Sequence, residues 1–518
     1  MKYILIRPIV AHISLRDSWW AACRLFSWRF GFPCSVLLLG ALFKVHAADA
    51  PSPAVKPNIL WIVMDDVGAE LPCYGEKTIQ TPNIDRLVRE GTRFDRAFLT
   101  TSVCSPSRSA MITGMYQTTI GAHHHRSGRG TGKIHLPAEV EPVPALFQHA
   151  GYFTCNGDYP AKAKRVGKTD YNFEWDLKIY DGSDWSGRKP GQPFFAQIQL
   201  WGGKNRNDDG RWYRDVAPKA LGTLTKPEDV TLPPYYPCDT VFLEDWAQYL
   251  DCIRLCDKQV GEILQRLEAE GILDQTFIIL MGDNGISQAR GKQFLYDEGI
   301  RTPFIVRGPG IARGAVRGDL IEHIDMAATS LAWAGLPIPS WMQGRDIFSK
   351  DYPRRDAVFA ARDRCGETVD RIRSVRTEQF KYIRNFYPQR PLLQPNDYKD
   401  TKPFMPRLRE LHVQGKLSPM QEEILFSPTR AAEELYDVQA DPFETRNLAG
   451  DPKFRTTLET LRARLDRWMV ETHDLGAESE KAYEANLAYE LKTTPDKARK
   501  EAMLKNSALM KQWAEEGK

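Results

Sequence analysis

The sequence predicts an α/β protein: a doubly wound, mostly parallel sheet flanked by helices, followed by a smaller C-terminal antiparallel sheet and a helix. Residues 58–64 and 276–281 are nearly continuous apolar runs, typical of strands buried on both faces of a parallel sheet, and residues 304–306 add a third strand. Between these runs, apolar residues recur at helical spacing. The alternation of strands and helices indicates a doubly wound domain.

The helices of this domain are recognised by their ends. Thr81 is followed by Pro82 in a first helical turn, and Gly91 closes the apolar stripe that follows. A second helix is predicted to begin at residues 105–106 and to stop near residue 114. A longer stripe over residues 253–267 predicts a third helix, which ends at a glycine.

The C-terminal part has shorter elements. Short strands are predicted at residues 358–361, 372–375 and 380–383, with a turn at residues 377–379. Leucine and tryptophan recur at helical spacing over residues 458–470, which predicts an amphipathic helix against the small sheet. The last forty or so residues are polar, and we predict that they are helical and contribute no chemistry.

These patterns divide the chain into four parts. We predict a signal peptide at residues 1–47, a catalytic α/β domain at residues 48–350, a C-terminal α+β subdomain at residues 351–475, and a polar tail at residues 476–518. The apolar run at residues 34–43 is too short to span a bilayer comfortably and follows a basic flank, as in a signal peptide. A periplasmic or secreted protein is expected, with a start codon assigned too early or a retained anchor as the alternatives.

Charge and cysteine content exclude some classes of protein. The formal net charge of +3 is close to balance, and no long basic run indicates a nucleic acid partner. The nine cysteines show no regular framework, so buried thiols are favoured over a disulfide scaffold. The length of 518 residues suits one large domain and a smaller one.

Acidic residues follow two of the predicted strands. Asp65 and Asp66 come directly after the first strand, and Asp283 and Asn284 follow the run at residues 276–281. In open α/β sheets, ligands collect at the carboxyl ends of the strands. Four oxygen-bearing side chains at that edge predict a site for a hard divalent cation, Ca²⁺ or Mg²⁺; a single aspartate there would more simply be a helix cap or a turn residue.

Cys104 opens the second predicted helix, where unpaired backbone amides favour negative charge. A cysteine there is either a nucleophile or a structural thiol. The segment resembles the motif of the type I sulfatases, with Cys104, Pro106, Arg108, Thr113 and Gly114 at the family's spacing. In that family the cysteine becomes formylglycine, and the arginine holds it.

The resemblance extends from Asn58 to about Leu448. Further matching segments are residues 81–85, 282–285, Lys292, 296–303 and 434–437. Residues 168–173 and the helix at residues 249–261 are similar to the heparan N-sulfatase-like branch. The likeness implies an alkaline-phosphatase-like fold, a calcium ion, a formylglycine-generating maturation enzyme, and hydrolysis of sulfate esters or sulfamates of a sulfated carbohydrate.

The resemblance also implies a mechanism. Hydrated formylglycine at position 104 is a gem-diol, one hydroxyl of which attacks sulfur while the other later expels sulfate. Arg108 would orient and acidify the gem-diol, and Lys292 would contact sulfate. Residue 104 would share one cation with the four residues that follow the strands. Cations around the site would neutralise charge on the sulfate oxygens.

Two histidines expected by the family pattern are missing. Lys168 matches the family's lysine, but Asp170 stands where a histidine is expected and is a candidate substrate contact. A later histidine is replaced within the Gly203-Lys204-Asn205 segment, so Lys204, or alternatively Asn205, is predicted to contact sulfate. The acid that protonates the leaving group is therefore left open.

Substrate contacts are predicted in two further places. The run His123-His124-His125 follows the nucleophile helix, so His124 and His125 are candidates, with a solvated loop as the alternative. A polar cluster in the second domain contains Arg362, Arg364, Glu367, Asp370, Arg371 and Arg373. This cluster either selects a sugar or forms a solvated charged face. The sequence leaves the oligomeric state open.

Two other functions fit parts of the same pattern. A phosphonate or phosphodiester hydrolase of the same superfamily can share the segment around Cys104. A non-catalytic glycan-binding protein on a sulfatase scaffold would explain the missing histidines. The complete nucleophile motif and the four predicted metal ligands favour the sulfatase over both.

Overall fold

The computed structural model describes residues 56–128, 131–159, 166–206 and 211–518. The predicted signal peptide lies outside these residues. Within them, none of the helices is long and apolar enough to cross a membrane. The boundaries predicted at residues 350 and 475 stay predictions.

A seven-stranded sheet forms the centre of the larger part. Its strands are β1 (Asn58–Met64), β2 (Thr92–Phe98), β3 (Phe153–Tyr159), β4 (Phe194–Leu200), β5 (Thr276–Gly282), β6 (Phe304–Arg307) and β7 (Ala315–Glu322). Their order is β3-β4-β1-β5-β6-β2-β7. β1 pairs in parallel with β4 and β5, and every residue of these three strands is buried, as their apolar sequences predict.

One strand runs against the others. β6 pairs antiparallel with both β5 and β2. The connection from β5 to β6 contains only a single-turn helix, and without a full crossover helix the chain returns in the opposite direction. The predicted fold class is confirmed as mostly parallel.

Helices cover the sheet and continue through the C-terminal part. They are α1 (Pro82–Glu90), α2 (Cys104–Thr113), α3 (Val143–His149), α4 (Arg211–Leu221), α5 (Thr240–Ala269), α6 (Asp297–Ile300), α7 (Asp325–Trp333), α8 (Asp397–Asp400), α9 (Phe404–Val413), α10 (Pro419–Phe426), α11 (Arg455–Glu471), α12 (Glu480–Thr493) and α13 (Lys497–Glu515). α1 starts at its proline, as predicted. α5 is capped by the Asp239 side chain and is longer than its apolar stripe indicates.

The smaller sheet is antiparallel, in the order β11-β10-β9-β8. Its strands are β8 (Val358–Arg362), β9 (Ile372–Arg376), β10 (Phe380–Asn385) and β11 (Glu433–Asp437). The first three match the predicted strands, whereas β11 was not predicted as a strand. α11 packs on this sheet through Leu461, Leu465 and Trp468, which confirms the predicted helix.

Candidate active site

The predicted acids meet at the carboxyl ends of β1 and β5. These strands pair in parallel and end side by side at Met64 and Gly282. The Asp283 amide donates to the Met64 carbonyl over 3.0 Å, and the Asp66 amide donates to Asp283 Oδ1 over 3.1 Å. Asp65, Asp66 and Asp283 are at most 2% exposed. Three carboxylates are therefore held together in the interior.

These residues fit a hard divalent cation. Ligand atoms of Asp65, Asp66, Asp283 and Cys104 all lie within 4.8 Å of one another. The buried Asn284 Oδ1 accepts no hydrogen bond from any described residue, while its amide nitrogen donates to Asp66 Oδ1 over 2.9 Å. A buried, unpartnered oxygen beside three carboxylates suits the oxygen coordination that Ca²⁺ and Mg²⁺ require.

The predicted nucleophile is the first residue of α2, and all ten residues of this helix are buried. Cys104 Sγ lies 2.9 Å from Lys292 Nζ and 3.9 Å from Oδ1 of both Asp65 and Asp66. The sulfur marks where the oxygens of a modified residue would stand. Residue 104 thus lies at a helix N-terminus and faces both the acids and the ammonium group of Lys292.

Arg108 follows one turn after Cys104. Its Nε donates to Asp283 Oδ2 over 2.8 Å and its Nη1 donates to Gln199 Oε1 over 2.7 Å. The side chain is 1% exposed. Arg108 therefore fixes the Asp283 carboxylate relative to α2, the nucleophile helix.

Two lysines converge on one carboxylate oxygen. Lys168 Nζ lies 2.6 Å and Lys204 Nζ 3.0 Å from Asp65 Oδ2, and Lys204 Nζ is 3.7 Å from Cys104 Sγ. Lys204 reaches this position because a short 3-10 helix packs against Asp65. A Cβ at Gly202 would stand 2.3 Å from the Asp65 carbonyl oxygen, so this approach needs glycine.

The cations keep part of the acid cluster ionised. Burial would raise the pKa of Asp65, but Lys168, Lys204 and Arg108 outweigh burial and hold that pKa well below its usual value. For Lys292, burial would lower the pKa, but Asp66 outweighs burial and raises it well above the usual value. These groups therefore stay charged at neutral pH.

The predicted substrate residues near the nucleophile have different positions. Asp170, whose φ of 56° is in the left-handed region, lies with its Oδ2 4.0 Å from Lys168 Nζ. His125 lines the same pocket as Cys104. His124 is instead buried beside His123 and Asp363, and burial, with the neighbouring His123, lowers its pKa well below the usual value. His124 is not among the residues that line the pocket.

The arginines predicted to select a sugar are mostly buried in ion pairs. Arg364 lines the pocket and pairs with Glu478 through Nε, over 2.5 Å, at 5% side-chain exposure. Arg371 does not line the pocket; its guanidinium lies 4.1 Å from the centroid of the Phe386 ring. The alternative of a solvated charged face is wrong for Arg362, Arg364 and Arg373, which are each at most 5% exposed.

The polar tail is helical, as predicted, and its side chains line the site, which its sequence did not indicate. Glu490, Thr494, Arg499 and Met503, from α12, α13 and the link between them, line the pocket that contains Cys104, Lys204 and Lys292. The tail reaches the pocket through tertiary contacts, because it folds back over the region around residues 364–367. Its composition does not indicate such contacts. We call this cavity the Cys104 pocket.

Tyr398 is a second residue that sequence reasoning missed. It lines the Cys104 pocket, and its hydroxyl donates to Asp66 Oδ2 over 3.1 Å. Lys292 Nζ lies 4.9 Å from the centroid of its ring. The segment around α8 carries no motif that would have singled out this tyrosine.

Comparison with known proteins agrees with this geometry. The sulfatase family profile matches residues 57–336, and the C-terminal profile of N-sulphoglucosamine sulphohydrolase matches residues 288–401. An ulvan-active sulfatase of Formosa agariphila is 34% identical over 81% of this chain and 76% of its own length. Human N-sulphoglucosamine sulphohydrolase is 28% identical over 80% of this chain and 90% of its own length.

Solved structures support the fold. A putative sulfatase from Bacteroides thetaiotaomicron has a TM-score of 0.59 at 19% identity, covering 83% of this chain and 96% of its own. A protein solved with its substrate D-glucosamine-2-N,6-O-disulfate has a TM-score of 0.54 at 19% identity, covering 81% of this chain and 98% of its own. Together with the profile match over more than half of the sequence and the 34%-identical relative, these findings make the chain a member of the sulfatase family and a sulfuric ester hydrolase.

Proposed function

We propose that this sulfatase removes sulfate from a sulfated carbohydrate, acting on sulfate esters or sulfamates, with residue 104 as formylglycine and a divalent cation beside it. The position of Cys104 carries the proposal. Its side chain is buried at a helix start, within reach of three carboxylates and two ammonium groups. That is an arrangement for an activated oxygen nucleophile and an anionic substrate.

The two absent groups would supply the bond-making chemistry. Hydrated formylglycine supplies a hydroxyl that attacks sulfur and a second hydroxyl whose deprotonation expels sulfate. A cation held by Asp65, Asp66, Asp283 and Asn284 supplies Lewis-acid stabilisation of charge on oxygen. The donor set is made of oxygens, so we propose Ca²⁺, with Mg²⁺ as the alternative.

The side chains of this protein position and neutralise the substrate. Lys292 and Lys204 face the Cys104 pocket with their ammonium groups beside residue 104, where they meet the sulfate oxygens. Neighbouring carboxylates raise the pKa of both lysines against the effect of burial, so both act as fixed positive charges. Arg108 holds Asp283, and Lys168 holds Asp65, so the acids keep their places.

The proposal that the substrate is a carbohydrate is based on the relatives of this protein. One is called an ulvan-active sulfatase and another N-sulphoglucosamine sulphohydrolase, and both match most of this chain. We further propose that the protein is exported to the periplasm or secreted, because its leader has the pattern of a signal peptide. A formylglycine-generating enzyme would be its maturation partner.

A substrate panel tests this proposal. The protein, co-produced with a formylglycine-generating enzyme and supplied with Ca²⁺, is incubated with sulfated oligosaccharides, an aryl sulfate, a phosphodiester and a phosphonate ester. Release of inorganic sulfate from the oligosaccharides is expected. Faster hydrolysis of the phosphorus esters would identify the alternative hydrolase, and turnover of none of the probes would identify a glycan-binding protein. The phosphonate monoester hydrolase of Silicibacter pomeroyi, at 17% identity and a TM-score of 0.54, shares the fold and does not decide between these outcomes.

A further inference from the structure

Most cations that line the Cys104 pocket are held by an acid at close range. The pairs are Lys292–Asp66 at 2.6 Å, Lys204–Asp65 at 3.0 Å, Arg364–Glu478 at 2.5 Å and Arg499–Asp397 at 2.7 Å. Charge-assisted hydrogen bonds of this length use up the donors that make them. At least one donor of each of these side chains is therefore held by the acid cluster or by the wall of the pocket.

Arg126 lines the same pocket and is different. Its side chain is 43% exposed, and the nearest acidic oxygens are Asp170 Oδ1 at 4.0 Å and Glu490 Oε2 at 3.9 Å. Within the described part of the chain its guanidinium donates no hydrogen bond, and the buried Nε has no partner. A charged fork with five donors thus faces the pocket without an acceptor.

The backbone of Arg126 is fixed relative to the nucleophile. Its amide donates to Ser105 Oγ over 3.1 Å, and Ser105 directly follows Cys104. The preceding residue is held as well, because the His125 amide donates to the Arg364 carbonyl over 2.9 Å. Arg126 has a φ of 57°, in the left-handed region that arginine rarely adopts. Such strain persists where the surrounding contacts determine the conformation, and it is frequent at ligand sites.

The carboxylates of Asp170 and Glu490 attract the guanidinium and keep it in place, but they accept no hydrogen bond from it. Burial would lower the pKa of Arg126, but Asp170 and Glu490 outweigh burial and raise it. Asp170 lies beside Lys168 of the active site, whereas Glu490 belongs to α12 of the tail. The arginine therefore stands between the reacting centre and the tail.

We propose that Arg126 binds a second anionic group of the substrate, a carboxylate or a further sulfate, next to the sulfate that residue 104 attacks. The inference rests on the proposed sulfatase function and narrows its substrate to carbohydrates with two acidic groups close together. Planar, bidentate contact is what a guanidinium offers to carboxylate and sulfate oxygens. The tail helps to select the substrate because Glu490 holds the arginine from the opposite wall.

Binding of three matched probes tests this. The probes are a disaccharide with one sulfate and no other charge, the same disaccharide with a uronic acid carboxylate on the neighbouring sugar, and the same disaccharide with a second sulfate. Calorimetry on the Ca²⁺-loaded Cys104→Ala protein measures dissociation constants without turnover. A probe with two acidic groups should bind more tightly than the probe with one sulfate alone. Arg126→Gln should reduce that advantage about tenfold or more, the scale of a hydrogen bond to a charged group.

Two further variants make the result specific. Arg126→Lys keeps the charge but not the fork and should retain part of the advantage. Arg313→Gln, which removes an exposed arginine outside the pocket lining, should leave all three constants unchanged. Whichever probe loses its advantage in Arg126→Gln identifies the carboxylate or the second sulfate as the ligand.

The inference is overturned if the two doubly charged probes have no advantage over the probe with one sulfate, or if Arg126→Gln weakens all three equally or none. If Arg126→Gln does not fold, an undiminished advantage in Arg126→Lys overturns the bidentate contact. The proposed function fails separately, if mature protein with formylglycine confirmed by mass spectrometry hydrolyses no sulfate probe. Binding and turnover thus test the two proposals independently.

Discussion

Replacing Lys292 by methionine should abolish most activity while leaving metal binding intact. Lys292 Nζ is 2.9 Å from Cys104 Sγ and 2.6 Å from Asp66 Oδ1, and its side chain is 4% exposed. Methionine fills much of the same volume without the charge. The substitution therefore removes one fixed donor from the position where the sulfate oxygens gain charge.

The size of the loss follows from this geometry. Removing one preorganised donor from a buried site costs about 10²- to 10³-fold in kcat, and water cannot easily replace a donor in this interior. The effect of the substitution on metal binding should have the opposite sign. Lys292 competes with a cation for Asp66 Oδ1, so its removal should leave Ca²⁺ bound at least as tightly. Activity and ion content should therefore separate.

Steady-state kinetics on an aryl sulfate checks the expected loss in kcat, and mass spectrometry of the bound ion checks the expected ion content. Asp283→Asn is the contrasting variant, because it weakens a predicted ligand and should lose ion and activity together. Lys399→Met is the matched control: Lys399 is also buried, but its Nζ donates to the Ala289 carbonyl over 2.8 Å, away from the acids. Lys292→Met with kcat within tenfold of wild type, or with its ion lost, would refute the reasoning.

Three further predictions concern other parts of the molecule. Cys104→Ser should fold but lose multiple turnover, and the residue-104 peptide of active wild-type protein should be about 18 Da lighter than its cysteine form by mass spectrometry. Burial lowers the pKa of His323 to about 4. As the pH falls, this histidine is therefore protonated in the unfolded chain before it is protonated in the folded protein. The free energy of unfolding should therefore fall as the pH drops from about 6.5 through about 4, and His323→Asn should flatten that slope in urea titrations. Glu478→Ala should cost about 3 kcal/mol because it leaves buried Arg364 unpaired, whereas Lys497→Ala, at an exposed pair, should change stability by less than about 0.5 kcal/mol.

Each of these has a result that would contradict it. Full activity of Cys104→Ser, or of protein that carries only unmodified cysteine, would show that residue 104 is not the nucleophile as formylglycine. Parallel pH slopes for wild type and His323→Asn would show that this imidazole does not drive the acid destabilisation. Equal denaturation midpoints for the Glu478 and Lys497 variants would show that the tail is not anchored by its ion pair.

The sheet and its acids were predictable because their signals are local. A strand buried on both faces is a continuous apolar run, and β1 and β5 have that form. Once two such strands are parallel and adjacent, residues that follow them must meet at one edge, as Asp65 and Asp283 do. The reversed direction of β6 was not predictable in this way, since a run of three apolar residues followed by Arg307 does not indicate the direction of the strand in the sheet.

The walls of the pocket were not predictable because no local pattern specifies them. Tyr398 reaches Asp66 across 332 positions of the chain, from a helix of four residues. Glu490 and Arg499 belong to helices whose composition is that of a solvated surface. They reach the site through contacts such as Asn506 Nδ2 donating to Glu367 Oε1 over 2.7 Å. Lys204 was placed by its position relative to the family pattern and not by any property of its own segment.

The charges of the site explain why a second anion needs an arginine outside it. The charged groups of the site are the buried carboxylates of Asp65, Asp66 and Asp283, the buried cations Arg108 and Lys292, and the partly exposed cations Lys168 and Lys204. They carry one more positive charge than negative, and buried charges are tolerated only when paired. A divalent cation adds positive charge and a bound sulfate group adds negative charge, so ion and sulfate favour each other. Arg126 lies outside this set, and its nearest acidic oxygens are 3.9 Å and 4.0 Å away, which leaves its hydrogen-bond donors for the next acidic group along the substrate.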